Sequence, residues 1–113
     1  MKQGEIWVVN FGDNNVGHEY KKDRPALIIQ SNDQLKITNI FTIIPLTSNR
    51  NNRHSDDIAV GKDDTNRLYA DSVLKVHHTQ SFDKLRFIKK IGIIENDLLD
   101  QVKNYLKRHF GIE

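Results

Sequence analysis

Apolar side chains fall in short blocks along most of this chain and take up helical spacing only near its end. Glu5 to Phe11 (EIWVVNF) is β-branched and aromatic and stops at Gly12-Asp13-Asn14-Asn15, a cluster suited to turns and positive φ, so it reads as a strand followed by a loop. Pro25 to Ser31 (PALIIQS) and Ile40 to Leu46 (IFTIIPL) are almost continuously apolar, the pattern of strands covered on both faces. Pro45 cannot donate to a ladder and marks an edge or a bend. Ile58 to Val60, Leu68 to Val76 and Phe87 to Ile94 supply further strands. Between them, Thr47 to Asp57 (TSNRNNRHSDD) has no aliphatic side chain and reads as a long surface loop. From Glu95 onward Leu98, Leu99, Val102, Leu106 and Phe110 recur at i, i+3 or i+4, with acidic residues early and Lys and Arg late. That is an amphipathic helix matched to its own dipole. Five to seven short strands and a C-terminal helix predict an α+β, barrel-like fold, with residues 1–113 as a single domain.

Length and composition support one modest core, since 113 residues with 37% hydrophobic and 28% charged side chains sit within the globular range. The absence of cysteine excludes a disulfide framework, a thiolate nucleophile and a Cys-ligated metal or cluster, and fits a reducing compartment. No apolar run reaches the roughly 18 residues that would span a bilayer, and no signal-peptide core follows Met1, so a cytoplasmic location is expected. Net charge is only +2, but its distribution is uneven. Basic residues gather at Lys21, Lys22 and Arg24; at Arg50 and Arg53; at Lys84, Arg86, Lys89 and Lys90; and at Lys103, Lys107 and Arg108. Such groups fit a face that tracks phosphates, and equally a solvated surface.

Local motifs for catalysis are sparse. His77-His78 are adjacent, and neighbours on a strand point to opposite faces, so the pair cannot hold one ion and no metal is expected. Ser48, His54 and Asp56 make a triad only on paper, because no nucleophile-elbow sequence surrounds a serine. There is no phosphate-binding glycine loop ending in Lys-Ser/Thr and no carboxylate pair at helical spacing.

The informative pattern is distributed. Gly4-Glu5-Ile6-Trp7 leads through Gly17-His18-Glu19 to Arg24-Pro25-Ala26-Leu27-Ile28-Ile29, and Pro45-Leu46-Thr47-Ser48 closes the next strand. Asp71-Ser72-Val73, Asp83-Lys84-Leu85-Arg86 and Lys90-Ile91-Gly92 come after these. In order and spacing these blocks resemble the MazF/PemK family of bacterial toxin endoribonucleases, over essentially the whole chain.

The resemblance implies a small SH3-like β-barrel with appended helices, acting as a homodimer. It implies metal-independent, sequence-selective cleavage of single-stranded RNA without a cofactor, neutralisation by a cognate antitoxin, and no DNA or membrane partner for the toxin alone. Attack by the ribose 2′-OH requires a proton acceptor, stabilisation of a phosphorane and protonation of the leaving 5′ oxygen. Arg24 suits the second task, since its permanently charged fork matches two phosphoryl oxygens and Pro25 biases it toward extended backbone. Thr47, at the polar end of an apolar strand, can donate to the scissile phosphate. His18 occupies the loop position where the PemK branch also has His, and imidazole titrates near neutrality. Gly17, Glu19, Ser48, His77 and His78 are the expected RNA contacts. Where the family usually has an acidic residue and Gln, this chain has His77-His78, and His77 stands at the position of a carboxylate base proposed in the branch. The general base is therefore left open between His18 and His77. A non-catalytic SH3-like binding module, or a relative that poisons topoisomerase, remains the alternative, because fold does not decide function.

Overall fold

The computed structural model describes residues 1–12, 22–49 and 53–113. Among these, seven strands precede a C-terminal helix. They are β1 Glu5–Asn10, β2 Asp23–Ile28, β3 Ile40–Thr47, β4 Ile58–Val60, β5 Ser72–Leu74, β6 Gln80–Asp83 and β7 Phe87–Ile93. A single-turn helix, α1 Asn32–Leu35, joins β2 to β3, 3-10 turns span Val76–His78 and Lys84–Arg86, and α2 is Asn96–His109. Each pairing is antiparallel, in the order β4-β5-β3-β2-β1-β7, with β6 beside β3. No ladder joins β4 to β7 among the described residues, so the sheet is open and the expected closed barrel is not formed by these ladders.

The strand β3 organises the fold. Its first half pairs with β6, from Ile40↔Asp83 to Ile43↔Gln80, and its end pairs with β5 at Leu46↔Leu74 and Thr47↔Val73. Pro45 lies between the two partners, where its missing N–H leaves no gap in a ladder. The strand is flanked on both sides, so Pro45 marks a change of partner within an interior strand and not a sheet edge. On its other side β3 meets β2 at Ala26↔Pro45, Leu27↔Ile44 and Ile28↔Ile43.

Alternation of side chains through this ladder makes two apolar clusters. Ile6, Leu27, Ile44, Leu46 and Leu74 pack with Val102 and Tyr105 of α2, while Val9, Ala26, Ile28, Phe41, Ile43 and Phe87 fill the opposite face. Fully burying one such aliphatic or aromatic side chain stabilises by about 1.5 to 3 kcal/mol.

Four elements depart from the sequence reading. The run Leu68 to Val76 is strand only over Ser72–Leu74. Asn66, 1% exposed, draws the chain before it into a turn: its Oδ1 accepts the N–H groups of Asp63 and Leu68, and its Nδ2 donates to the Gly61 carbonyl. The apolar run from Pro25 leaves the sheet after Ile28, and Ser31 caps α1 through Gln34 N–H. The polar β6 is an additional strand. At the C-terminus, Ile112 N–H bonds Lys107 O and Gly111 N–H bonds Arg108 O, with Gly111 at φ +68. This paired closure with a left-handed glycine ends the helix before Phe110, which is 61% exposed, and Tyr105 takes the buried position instead. No helix among the described residues is long and apolar enough to cross a membrane.

Candidate active site

Strand register brings the Arg24 and Thr47 blocks together. The β2–β3 ladder stops at Ala26↔Pro45 because Pro25 has no N–H, yet the two strands continue. Extending the register by two residues sets Arg24 across from Thr47, and Arg24 Nη1 donates to Thr47 Oγ1 over a long 3.4 Å. Asn49 N–H donates to the same oxygen at 3.1 Å. Both lone pairs of the buried Thr47 hydroxyl are thus engaged by donors. Arg24 and Ser48 line a small cleft with Tyr69, Ala70 and Ser72, and the Tyr69 ring is 82% exposed beside it. The cleft therefore brings together a cation from β2, the Ser48 hydroxyl and the Tyr69 ring, with Thr47 bonded to Arg24 beside it.

The wall that carries Tyr69 is anchored to β7. Ile93 N–H donates to Thr65 O, and a Cβ on Gly92 would fall 2.2 Å from Asn66 O. Only glycine lets the 61–69 segment lie this close to the strand.

His77 and His78 sit elsewhere, on the 3-10 turn after β5 and not on a strand. They are therefore not held to opposite faces as strand neighbours would be. His77 Nε2 lies 2.9 Å from Asp56 Oδ2, and its Nδ1 lies 3.2 Å from the Tyr105 hydroxyl. Both of its ring nitrogens are thus engaged. Tyr105 Oη also meets His109 Nδ1 at 3.2 Å, and burial together with the Asp56 carboxylate raises its pKa, so it stays a neutral hydroxyl. His78 is half-buried, and desolvation with the Lys75 cation lowers its pKa. Lys75 itself is closed into a pair with Asp57 at 2.6 Å, their side chains 11% and 1% exposed. Burial pushes the Asp57 pKa up, but the hydrogen bond from Lys75 and the His54 N–H more than offset this and hold it low. Gly17, His18 and Glu19 lie outside the described residues.

Sequence reasoning missed Tyr69, because a lone exposed aromatic leaves no periodic signal. It also missed the grouping of His54 and Asp56 with His77, Tyr105 and His109, which only tertiary packing creates.

With this geometry in hand, comparisons with known proteins agree on a family. A model of the PemK-like, MazF-like toxins of type II toxin-antitoxin systems matches residues 2–110. Endoribonuclease PemK of Escherichia coli is 27% identical over 103 residues, covering 90% of this chain and 76% of that protein. The crystal structure of MazF from Deinococcus radiodurans superposes with a TM-score of 0.79 at 23% identity, over 99% of this chain and 97% of that one. A mycobacterial endoribonuclease in complex with its cognate antitoxin gives 0.75 at 17% identity, over 100% and 95%. These two structural likenesses bear on the fold.

Proposed function

The chain belongs to the PemK-like, MazF-like toxins of type II toxin-antitoxin systems, and on that premise we propose that it is a sequence-selective endoribonuclease that cuts single-stranded RNA without a metal. The observation that carries this reading is the Arg24–Thr47 pair, with Arg24 on the cleft wall and the Thr47 oxygen held by two donors. In the proposed reaction the ribose 2′-OH attacks the adjacent phosphorus, the P–O5′ bond breaks, and a 2′,3′-cyclic phosphate and a 5′-hydroxyl result. The Arg24 guanidinium and the Thr47 hydroxyl stabilise the phosphorane oxygens, an effect that is strongest for preorganised donors.

His18 is the proposed proton-transfer residue. It precedes Arg24 by six positions, and both nitrogens of the competing His77 are bonded to Asp56 and Tyr105. Ser48 and Tyr69 would contact the flanking nucleotides, Tyr69 by stacking on an unpaired base. Gly17 and Glu19 belong to the same proposed surface, and His78 contributes as a neutral contact. An SH3-like barrel built on the seven-stranded antiparallel sheet, and homodimerisation, are carried as part of the family reading.

Neutralisation is proposed to come from an antitoxin segment that is disordered, acidic and apolar, competing with RNA for the Arg24 face. Such a segment gains from electrostatic steering and weakens with salt. The test of the whole reading is a long RNA incubated with purified protein in EDTA, with products mapped. Discrete cuts at a recurring short motif support it, and intact RNA, or cuts that need added metal, count against it.

A further inference from the structure

Asp56 lies at a meeting point of histidines that the ribonuclease reading does not use. Its Oδ2 is 2.9 Å from His77 Nε2 and 3.9 Å from His54 Nδ1. The His54 and His77 rings are 4.1 Å apart at their centroids and tilted by 56°. One ligand atom from each of the three residues falls within 4.8 Å of the other two. All three side chains are accessible from solvent, at 53%, 44% and 36% exposure for His54, Asp56 and His77. Two imidazoles and a carboxylate favour zinc-type ions over magnesium or calcium, which select oxygen donors. A tetrahedral zinc ion with bonds of about 2.0 to 2.1 Å spaces its ligand atoms by about 3.3 Å, so on binding the 2.9 Å contact would open and the wider separations, up to 4.8 Å, would close by side-chain rotation.

The surrounding bonds are those a ligating histidine requires. Tyr105, 7% exposed, holds its hydroxyl 3.2 Å from His77 Nδ1, 3.4 Å from His77 Nε2 and 3.2 Å from His109 Nδ1. When Nε2 gives its lone pair to an ion, the ring proton sits on Nδ1, Nδ1–H donates to Tyr105 Oη, and Oη–H donates to His109. The hydrogen-bond chain reverses direction and leaves no group unmet. His54 Nδ1 spends its one lone pair on the Asp56 N–H at 3.0 Å. Ligation would hand that N–H to water at an exposed position. Arg108 shares this face and its guanidinium lies 5.9 Å from the Tyr105 ring centroid, so it is the nearby charge that opposes a cation. The Lys75 charge is already matched by Asp57.

We infer that His54, Asp56 and His77 form a mononuclear site for a divalent first-row transition ion of the zinc type, with water in the fourth position, clipping the segment after β3 to the turn after β5. Tyr105 is its positioning residue. The site stands apart from the proposed cleavage chemistry, which needs no ion.

The test titrates cobalt(II) chloride into the untagged full chain. The expected result is one saturable equivalent with the intense visible bands of low-coordinate cobalt, displaced by zinc chloride. His77→Ala and Asp56→Asn should abolish it, and Tyr105→Phe should weaken it about tenfold or more. His109→Ala should retain it. Zinc should also raise the melting temperature of the wild type and not of His54→Gln, which reports the site without relying on the other variants. Absence of saturable binding in the wild type, or binding that survives both His77→Ala and Asp56→Asn, overturns the proposal. RNA cleavage in EDTA is read separately, so either outcome leaves the ribonuclease reading to stand or fall on its own.

Discussion

Two polar corners flank β3, and they are built by different means. Arg24 and Thr47 meet because an antiparallel register, continued past Pro25, sets them opposite one another. His54, Asp56, His77 and Tyr105 meet because a surface segment, a 3-10 turn and the buried face of α2 converge. The first corner inherits the rigidity of buried strands, with Ala26, Leu27 and Leu46 all 0% exposed beside it. The second depends on hydrogen bonds among His54, Asp56 and His77, whose side chains water reaches, backed by the buried Tyr105. Precision for stabilising a transition state is therefore expected at the first, and adaptable ligation at the second.

The sharpest way to break this comparison is Arg24→Ala. Cleavage should fall roughly 10²-fold or more, as when one preorganised transition-state donor is lost, while the melting temperature barely moves. Thr47→Ala should cost less. Near wild-type rates in both would place the chemistry elsewhere. Gly92→Ala comes next in size, since a methyl there meets the Asn66 backbone at 2.2 Å and the loop must shift. A loss of about 2 kcal/mol in denaturant unfolding is expected, with weaker RNA binding because Tyr69 moves with the loop. An unchanged unfolding midpoint would contradict the close approach.

Tyr69→Ala is a milder probe of the same cleft. It should weaken RNA affinity by about 1 kcal/mol while sparing kcat, and Tyr69→Phe should restore binding, because stacking needs the ring and not the hydroxyl. Equal losses in Ala and Phe would argue for a hydrogen bond instead. The smallest effect concerns Glu5. Burial pushes its pKa up, but hydrogen bonds from Trp7 Nε1 at 2.9 Å and Lys2 N–H at 3.1 Å, with the Lys90 ammonium, hold it below the usual value. A depressed carboxylate contributes stability above its unfolded pKa of about 4.3 and loses it as pH falls through the folded value. The stability gap between wild type and Glu5→Gln should thus be constant near neutrality and shrink below about pH 4. A gap independent of pH would remove the charge from the explanation.

The same contrast explains what the sequence made legible. Strands β1, β3 and β7 and the helix α2 lie within a residue or two of where apolar runs and periodicity put them, since each buries a continuous face. Gln80–Asp83 carries a single apolar residue, Phe82, and becomes a strand only through pairing with β3. Leu68 reads as strand from its neighbours alone, because its turn is dictated by Asn66 and Gly92, whose effects are tertiary. Arg24 and Thr47 are legible because strand ends keep their order. His54 and Asp56 are 21 to 23 residues from His77 in the chain, and nothing local foretells that the turn after β5 faces the segment after β3.

The central claim, cleavage by the ribose 2′-OH at the Arg24–Thr47 corner, meets its most direct test in an RNA carrying one 2′-deoxy nucleotide at the mapped cut. In EDTA the all-ribose strand is predicted to yield 2′,3′-cyclic phosphate and 5′-hydroxyl ends, while the substituted strand binds comparably and is not cut there. Cleavage of the substituted strand at an undiminished rate would contradict it.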